Sequence, residues 1–351
     1  MSDVTVAGPV LCDWVRSLLE ASAVPAAAAG VVADSLVTAN LRGVDSHGVQ
    51  LLPFYVEQLE TGRVNGRASG RVVSESGACL VYDGENGIGQ VISEICVGHA
   101  VRLAGEHGLG LALARESNHF GAAAFWAGRI AAHGMAGMVM CNASPMVAPW
   151  QGREPRFGTN PICLAVPSDG AGSWLLDMAT TTVAMGKIYS AWMKGEKTVP
   201  AGWALDAEGV PTADTETALN GSLMPLGGYK GSGLAMMVEI LCGALSGGAM
   251  STELGGLRIQ TRPFRAGHAF LAVDVARFLP LEDFRGRMER LCTMVKSSPP
   301  ARDFEEVLVA GEPERRNEET RRKLGIPIPG ALWEKLVEIA RRRAVDVPSV
   351  G

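Results

Sequence analysis

Two of the six histidines stand among small residues and turn formers: His47 in Asp45-Ser46-His47-Gly48, and His119 in Ser117-Asn118-His119-Phe120-Gly121. Imidazole changes charge near neutral pH, so two such rings facing one cavity can pass a proton to and from a reacting carbonyl or imine. The chemistry they suggest is carbonyl or imine reduction and its reverse. Each ring also has an inert reading; His47, for example, fits the first turn of a helix capped by Ser46.

The elements around these rings follow from spacing. Residues 8–42 read as two helices broken near Val24-Pro25, the second carrying Val31, Val32, Leu36, Val37 and Leu41 at helical intervals. From 48 to 59 the residues Leu51, Leu52, Tyr55, Val56 and Leu59 recur every three or four positions. One short helix is expected there, with His47 at its start and His47, Leu51 and Tyr55 on one stripe, Pro53 being a possible kink. A strand over 71–83, a helix over 89–106 and a strand over 109–115 then place His119 at a strand-to-helix turn, before a helix at about 121–133.

A strand over 135–141 leads to Asn142-Ala143-Ser144-Pro145, and Gly158-Thr159-Asn160-Pro161 precedes a strand at 162–166. A strand at 174–176 opens into Asp177-Met178-Ala179-Thr180-Thr181-Thr182, where a carboxylate and hydroxyls gather before a helix at about 182–193. Helix starts of this kind favour anions and polar ligands. Residues 195–222 show no period and read as a mobile excursion or lid. Leu226-Gly227-Gly228-Tyr229-Lys230-Gly231-Ser232-Gly233 follows and enters an apolar helix reaching about 246. Its glycines permit close backbone approach to a ligand, and Lys230 offers a point charge for a phosphate. The last third adds a strand at 269–274 and helices near 281–295, 313–324 and 330–343.

Strands and helices alternate, which indicates α/β architecture, while the hairpin-like and irregular connections favour a mixed, largely antiparallel sheet. With 351 residues, 47% hydrophobic and 20% charged, the chain can bury a large core. A net charge of -5 leaves no basic footprint for nucleic acid. The seven cysteines are odd in number, scattered and free of metal-ligand spacing, which fits a reducing cytoplasm. No run is long and apolar enough for a membrane span, and no secretory leader is read. Also missing are G-x-G-x-x-G after a strand, the P-loop, H-E-x-x-H and G-x-S-x-G, so the ordinary Rossmann, P-loop, zincin and α/β-hydrolase readings lose their main support.

Five ordered segments resemble the malate/L-lactate dehydrogenase family of the type 2 kind, which includes sulfolactate, ureidoglycolate and diketogulonate dehydrogenases and Δ1-piperideine-2-carboxylate reductase. They are Asp45-Ser46-His47-Gly48, Asn118-His119-Phe120-Gly121, Gly158-Thr159-Asn160-Pro161, Asp177-Met178-Ala179-Thr180 and Gly228-Tyr229-Lys230-Gly231. The resemblance implies an oxidoreductase using NAD or NADP, bound in a non-Rossmann mixed-sheet domain, and usually a homodimer. It divides the chain into a helical segment at 1–70, the cofactor-binding domain at 71–275, and a helical segment at 276–351 packing back on the first.

The same resemblance implies His47 and His119 as proton carriers, with His119 favoured. It implies Tyr55, Leu51, Ser46 and Ser144 as substrate contacts, and His119, Thr159, Asn160, Asp177, Met178, Ala179, Tyr229, Lys230, Gly311 and Glu312 as cofactor contacts. No metal is implied. One departure stands out: the family usually has arginine four residues after the first histidine, where a guanidinium pairs with a substrate carboxylate, and this chain has Leu51. Leucine donates no hydrogen bond, so either Arg42 or Arg153 substitutes, or the substrate is a bulkier, less charged carbonyl or a cyclic imine. Two other readings compete: a non-catalytic nucleotide-binding homologue, and a metal-dependent hydrolase built on His47, His119 and Asp177.

Overall fold

A computed structural model describes residues 3–168, 170, 174–257 and 262–349. The chain opens with strand β1 (Val4–Val6), followed by helices α1 (Gly8–Glu20), α2 (Ala26–Leu41) and α3 (Leu52–Glu60). In α1, Leu11, Trp14, Val15, Leu18 and Leu19 form one buried stripe, as the three-and-four spacing demands. Helix α2 starts directly after Pro25 and is buried on more than one side, which its near-uniform apolarity anticipates.

Between α2 and α3 the expected continuous helix is not formed. Asp45–His47 and Val49–Leu51 are separate single 3-10 turns, and Gly48 between them is extended. Pro53 lies in the first turn of α3, where its missing N–H costs nothing, so it starts the helix rather than kinking it. His47 therefore does not share a helical stripe with Leu51 and Tyr55.

The central part contains β2 (Arg71–Ser76), β3 (Cys79–Asp83), α4 (Gly89–His107), β4 (Leu109–Ser117), α5 (Ala123–Ala132), β5 (Met135–Cys141), β6 (Ile162–Ala165) and β7 (Leu175–Met178). The single strand expected over 71–83 is a hairpin, because Gly77 reverses the chain. Next come α6 (Met185–Met193), β8 (Ala204–Leu205), β9 (Pro211–Thr212), α7 (Thr215–Asn220), β10 (Ser222–Leu223), α8 (Tyr229–Glu239) and β11 (Ala266–Asp274). The chain closes with α9 (Leu281–Lys296), α10 (Glu312–Leu324), β12 (Ile326–Ile328) and α11 (Gly330–Arg342).

Seven strands form the main sheet in the order β2-β3-β4-β11-β5-β6-β7. Only β3 and β4, joined through α4, run parallel; the other neighbours are antiparallel. Alternate residues serve opposite faces. Ala112, Ala114 and Phe270 pack under α4 and α5, whereas Leu113, Met140 and Ala269 pack under α8 with Val238 and Cys242. The expectation of a mixed α/β fold agrees with this arrangement.

Residues 195–222 are not an irregular excursion. They contribute to a three-stranded sheet, β10-β8-β9, with α6 and α7 and a core of Ile188, Val199, Ala204, Ala218 and Leu223. The two-residue strands are too short to show a period. At the other end of the molecule β12 pairs antiparallel with β1, and Trp333 of α11 meets Trp14 at 4.8 Å between ring centroids. One core thus joins α1, α2 and α3 to α11.

Candidate active site

His119 is fixed from both sides. Before it, buried Asn118 donates to the carbonyls of Asn86 at 3.1 Å and Gly87 at 2.8 Å. After it, the Phe120 carbonyl accepts from Trp126 Nε1 at 2.8 Å, and the Phe120 ring stacks on buried His268 at 4.6 Å. Burial drives the His268 imidazole down to about 3, so the ring at the base of the stack is neutral.

The His119 ring itself meets three elements. Tyr55 of α3 hydrogen-bonds Nδ1 at 2.7 Å, and the Gly121 amide donates to the same nitrogen at 3.2 Å. His47 stacks on it at 5.7 Å between centroids, with 22° between planes. The two imidazoles singled out in the sequence are therefore neighbours in the fold. Burial lowers the proton affinity of His47, whose Nδ1 lies 3.0 Å from Ser46 Oγ, and raises the Tyr55 phenol well above its usual range.

The turn bearing His47 is suspended from its acid neighbour. Arg321 of α10 forks onto Asp45 at 2.7 and 3.0 Å, and Asn40 Nδ2 donates to Asp45 Oδ1 at 2.6 Å. Asn40 Oδ1 in turn accepts from the Val49 amide at 2.8 Å, closing the two short turns around Gly48. Neither Asn40 nor Arg321 carried a sequence signal, since one lies in an apolar helix and the other in an arginine-rich one.

Asp177 lies at the end of β7, and its carboxylate accepts from the Ala124 amide at 2.9 Å. It therefore occupies the anion position at the start of α5, three residues beyond Gly121. Part of this residue is open to solvent, yet desolvation of the carboxylate raises its carboxyl to about 6 against the Ala124 bond and the charge of Arg42. Arg42 also stands 3.8 Å from Glu318.

The remaining predicted contacts divide. Thr159 accepts through its carbonyl from the Thr180 amide at 2.9 Å, which joins the Thr159 turn to the segment after Met178 and Ala179. Leu226 donates to the Thr180 carbonyl at 2.9 Å, bringing the Gly227-Gly228-Tyr229-Lys230 loop alongside. Tyr229 is 65% exposed, and Lys230 sits exposed in the first turn of α8, which has no side-chain cap. Gly228 is required by packing, because a Cβ there would stand 2.8 Å from the Trp150 ring.

The side chains of Asn160 and Glu312, both named above as cofactor contacts, are engaged inside the protein. Asn160 is fully buried: its Oδ1 accepts from Ala143, and its Nδ2 donates to Ala235 and to Glu239, each at 3.0 Å. Glu312 is buried between Lys296 at 2.6 Å and Arg316 at 2.7 Å. Burial would raise its carboxyl, but those bonds hold it at about 2. Gly311 begins α10 beside β7, with Ala310 accepting from Leu175 at 3.1 Å.

Leu51 is buried in the core with Val49, Leu52 and Tyr55, so its side chain is spent on packing. Ser144 donates to the Gly255 carbonyl at 2.7 Å. Arg153 lies beside Trp150, Glu208 and Pro211 in a separate recess. A small apolar recess beside His119, lined also by Tyr55, Gln90, Asn118, Ile88 and Val64, has about 20 Å³ of room. That holds about one water and excludes an organic acid from this side. Among the described residues no group of three or more His, Cys, Asp or Glu is arranged to hold a metal ion.

Imidazoles move protons, and no side chain here moves hydride. Such a pair can serve a redox reaction only where a bound carrier supplies the hydride. The malate/L-lactate dehydrogenase family model matches residues 8–337, and the chain belongs to that family of dehydrogenases. It is 40% identical to the malate dehydrogenase of Pyrococcus abyssi over 95% of this chain and 94% of that one. The solved sulfolactate dehydrogenase of Methanocaldococcus jannaschii has a TM-score of 0.92 at 34% identity, covering 97% of this chain and 98% of the other. The Δ1-piperideine-2-carboxylate reductase of Pseudomonas syringae has a TM-score of 0.85 at 30% identity, covering 96% and 99%. The family expectation drawn from the five motifs agrees with these matches, and the protein is an oxidoreductase working with a nicotinamide cofactor.

Proposed function

We propose that the protein interconverts a 2-hydroxy acid and its 2-oxo acid, or a closely related ketone, with His119 as the proton-exchanging group. The observation that carries this reading is the stacked pair of His47 and His119 with Tyr55 bonded to His119 Nδ1. Relatives named for malate and sulfolactate support the substrate class. In this reading His47, held neutral by burial, orients the reacting oxygen, and Tyr55 fixes the His119 ring. A bound nicotinamide dinucleotide, NAD or NADP, supplies or accepts the hydride.

The surface suits such a group. The uncapped start of α8 with exposed Lys230 fits a phosphate, and Thr159, Asp177, Met178 and Ala179 lie along one connected edge toward α5. We assign the cofactor to this mixed-sheet, non-Rossmann domain at 71–275, flanked by segments 1–70 and 276–351. Seven unpaired cysteines support a cytoplasmic setting. No helix of the described residues is long and apolar enough to cross a membrane. The exposed face of α8 and its continuation, with Met236 at 55%, Ile240 at 50% and Leu245 at 57%, supports a homodimer that covers it.

Likeness to the solved piperideine-2-carboxylate reductase supports a second substrate class, the cyclic imine acids. Nicotinamide absorbance with malate, sulfolactate, lactate and a cyclic imine acid, each with both cofactors, decides between them. Cofactor binding without turnover across that panel sinks the dehydrogenase substrate reading and favours a non-catalytic nucleotide binder. Ile240→Arg is expected to shift the mass in light scattering from dimer to monomer; an unchanged mass removes this face from the assembly.

A further inference from the structure

The first turn of α4 is pressed onto the loop that carries His119. A Cβ on Gly89 would stand 2.2 Å from the Asn118 carbonyl oxygen and 2.3 Å from that of His119, so only glycine lets the two backbones meet. The next residue, Gln90, is thereby delivered to the site in a fully buried position. Its Nε2 donates to the Tyr55 hydroxyl at 3.0 Å. With the hydroxyl oxygen accepting there, the Tyr55 proton is directed onto His119 Nδ1, where the Gly121 amide also donates. A ring nitrogen that receives two donors is unprotonated, so the neutral imidazole keeps its proton on Nε2.

The other end of the Gln90 amide, Oε1, is buried and accepts from none of the described residues, at the edge of the recess with room for about one water. A carbonyl in that position is met either by such a water or by a second arrangement of the amide. Turning the amide over gives the second arrangement. Oε1 then accepts from the Tyr55 hydroxyl, the Tyr55 oxygen accepts from Nδ1–H of an imidazolium, and the Gly121 amide gives up its long bond to that nitrogen. Gln90 can thus serve both charge states of the ring with one side chain.

We infer that Gln90 is a positioning residue which, acting through Tyr55, fixes the tautomer of His119 and accommodates its protonated form. The inference rests on the proposal that His119 exchanges the proton, but its test does not depend on turnover. Among the described contacts of the ring, His47 and Tyr55 are titratable, so the measurement is made in a His47→Asn background.

Ring 15N spectra of the full chain, assigned against His119→Asn, are expected to show the Nε2–H tautomer with Gln90 in place. Gln90→Glu offers acceptors only and is expected to move the proton to Nδ1 and raise proton affinity roughly tenfold, about one pH unit. Gln90→Met fills similar space without a donor and is expected to give mixed tautomers. Wild-type tautomer and titration in both variants, each retaining a cooperative melt, overturns the inference; if Gln90→Glu fails to fold, Gln90→Met alone decides. A tautomer that moves while no 2-hydroxy acid is oxidised upholds the role of Gln90 and sinks the proposed reaction instead.

Discussion

His119 sits in a cage of neutral hydrogen bonds and buried rings, whereas His47 hangs from an ion pair open to solvent on its Asp45 side, although the two imidazoles lie only 5.7 Å apart. Salt barely touches the first kind of restraint and screens the second. The pair therefore combines one ring whose orientation is set by the core with another whose orientation depends on a distant helix. That asymmetry suits a division of labour in which His119 handles the proton and His47 adjusts to the substrate.

The sharpest way to break the comparison is to remove each ring. His119→Ala is expected to lower kcat/KM roughly 100- to 10,000-fold, the range for a lost general acid or base, and His47→Ala to cost less. The reverse order in steady-state kinetics would exchange their roles.

The next effect concerns the floor of the cage. His268 holds its proton only near pH 3 when folded, against 6.5 for a free imidazole. Nothing is lost above pH 6.5; as pH falls toward 3 the unfolded chain takes up a proton that the folded one refuses, and stability drops by on the order of a few kcal/mol. His268→Phe preserves a ring under Phe120 and is expected to flatten that acid slope in urea melts. Asp177 works in the opposite sense, since a carboxyl raised to about 6 makes the fold less stable as pH rises through that value. Asp177→Asn, still able to accept from Ala124, is expected to remove that loss while weakening cofactor binding in a fluorescence titration.

Smaller effects separate the two restraints. Arg321→Gln is expected to lose about 1.5–3 kcal/mol of the hold on Asp45, seen as a raised KM that no longer varies with salt. A KM with the same salt response as wild type would show that the ion pair does not govern His47. Tyr55→Phe removes one hydrogen bond from His119 and is expected to cost about 0.5–1.5 kcal/mol, a few-fold in kcat that is indifferent to salt.

Much of this architecture is legible in the residues. Apolar spacing marks α1, α2 and α4, and the strand at Met135–Cys141 matches its reading residue for residue. The types of residue around His47 and His119 single out the two rings without the fold, and the fold places them side by side. What is hidden is nonlocal: β1 and β12 are three residues each and find one another across the whole chain. Gln90, Asn40 and Arg321 look like ordinary helix residues until α4, α2 and α10 bring them to the site. Asn160 and Glu312 stand beside glycine turns, and nothing local announces that the interior claims both side chains. The fold of 195–222 escapes because its strands pair over two residues only.

The grip of Arg321 on Asp45 also sets a moment in biosynthesis. Asp45 precedes Arg321 by 276 residues, so the His47 turn is synthesised long before the guanidinium that clamps it. A growing polypeptide therefore holds the His47 turn unclamped until α10 is made, and a product cut short ahead of residue 321 lacks that restraint.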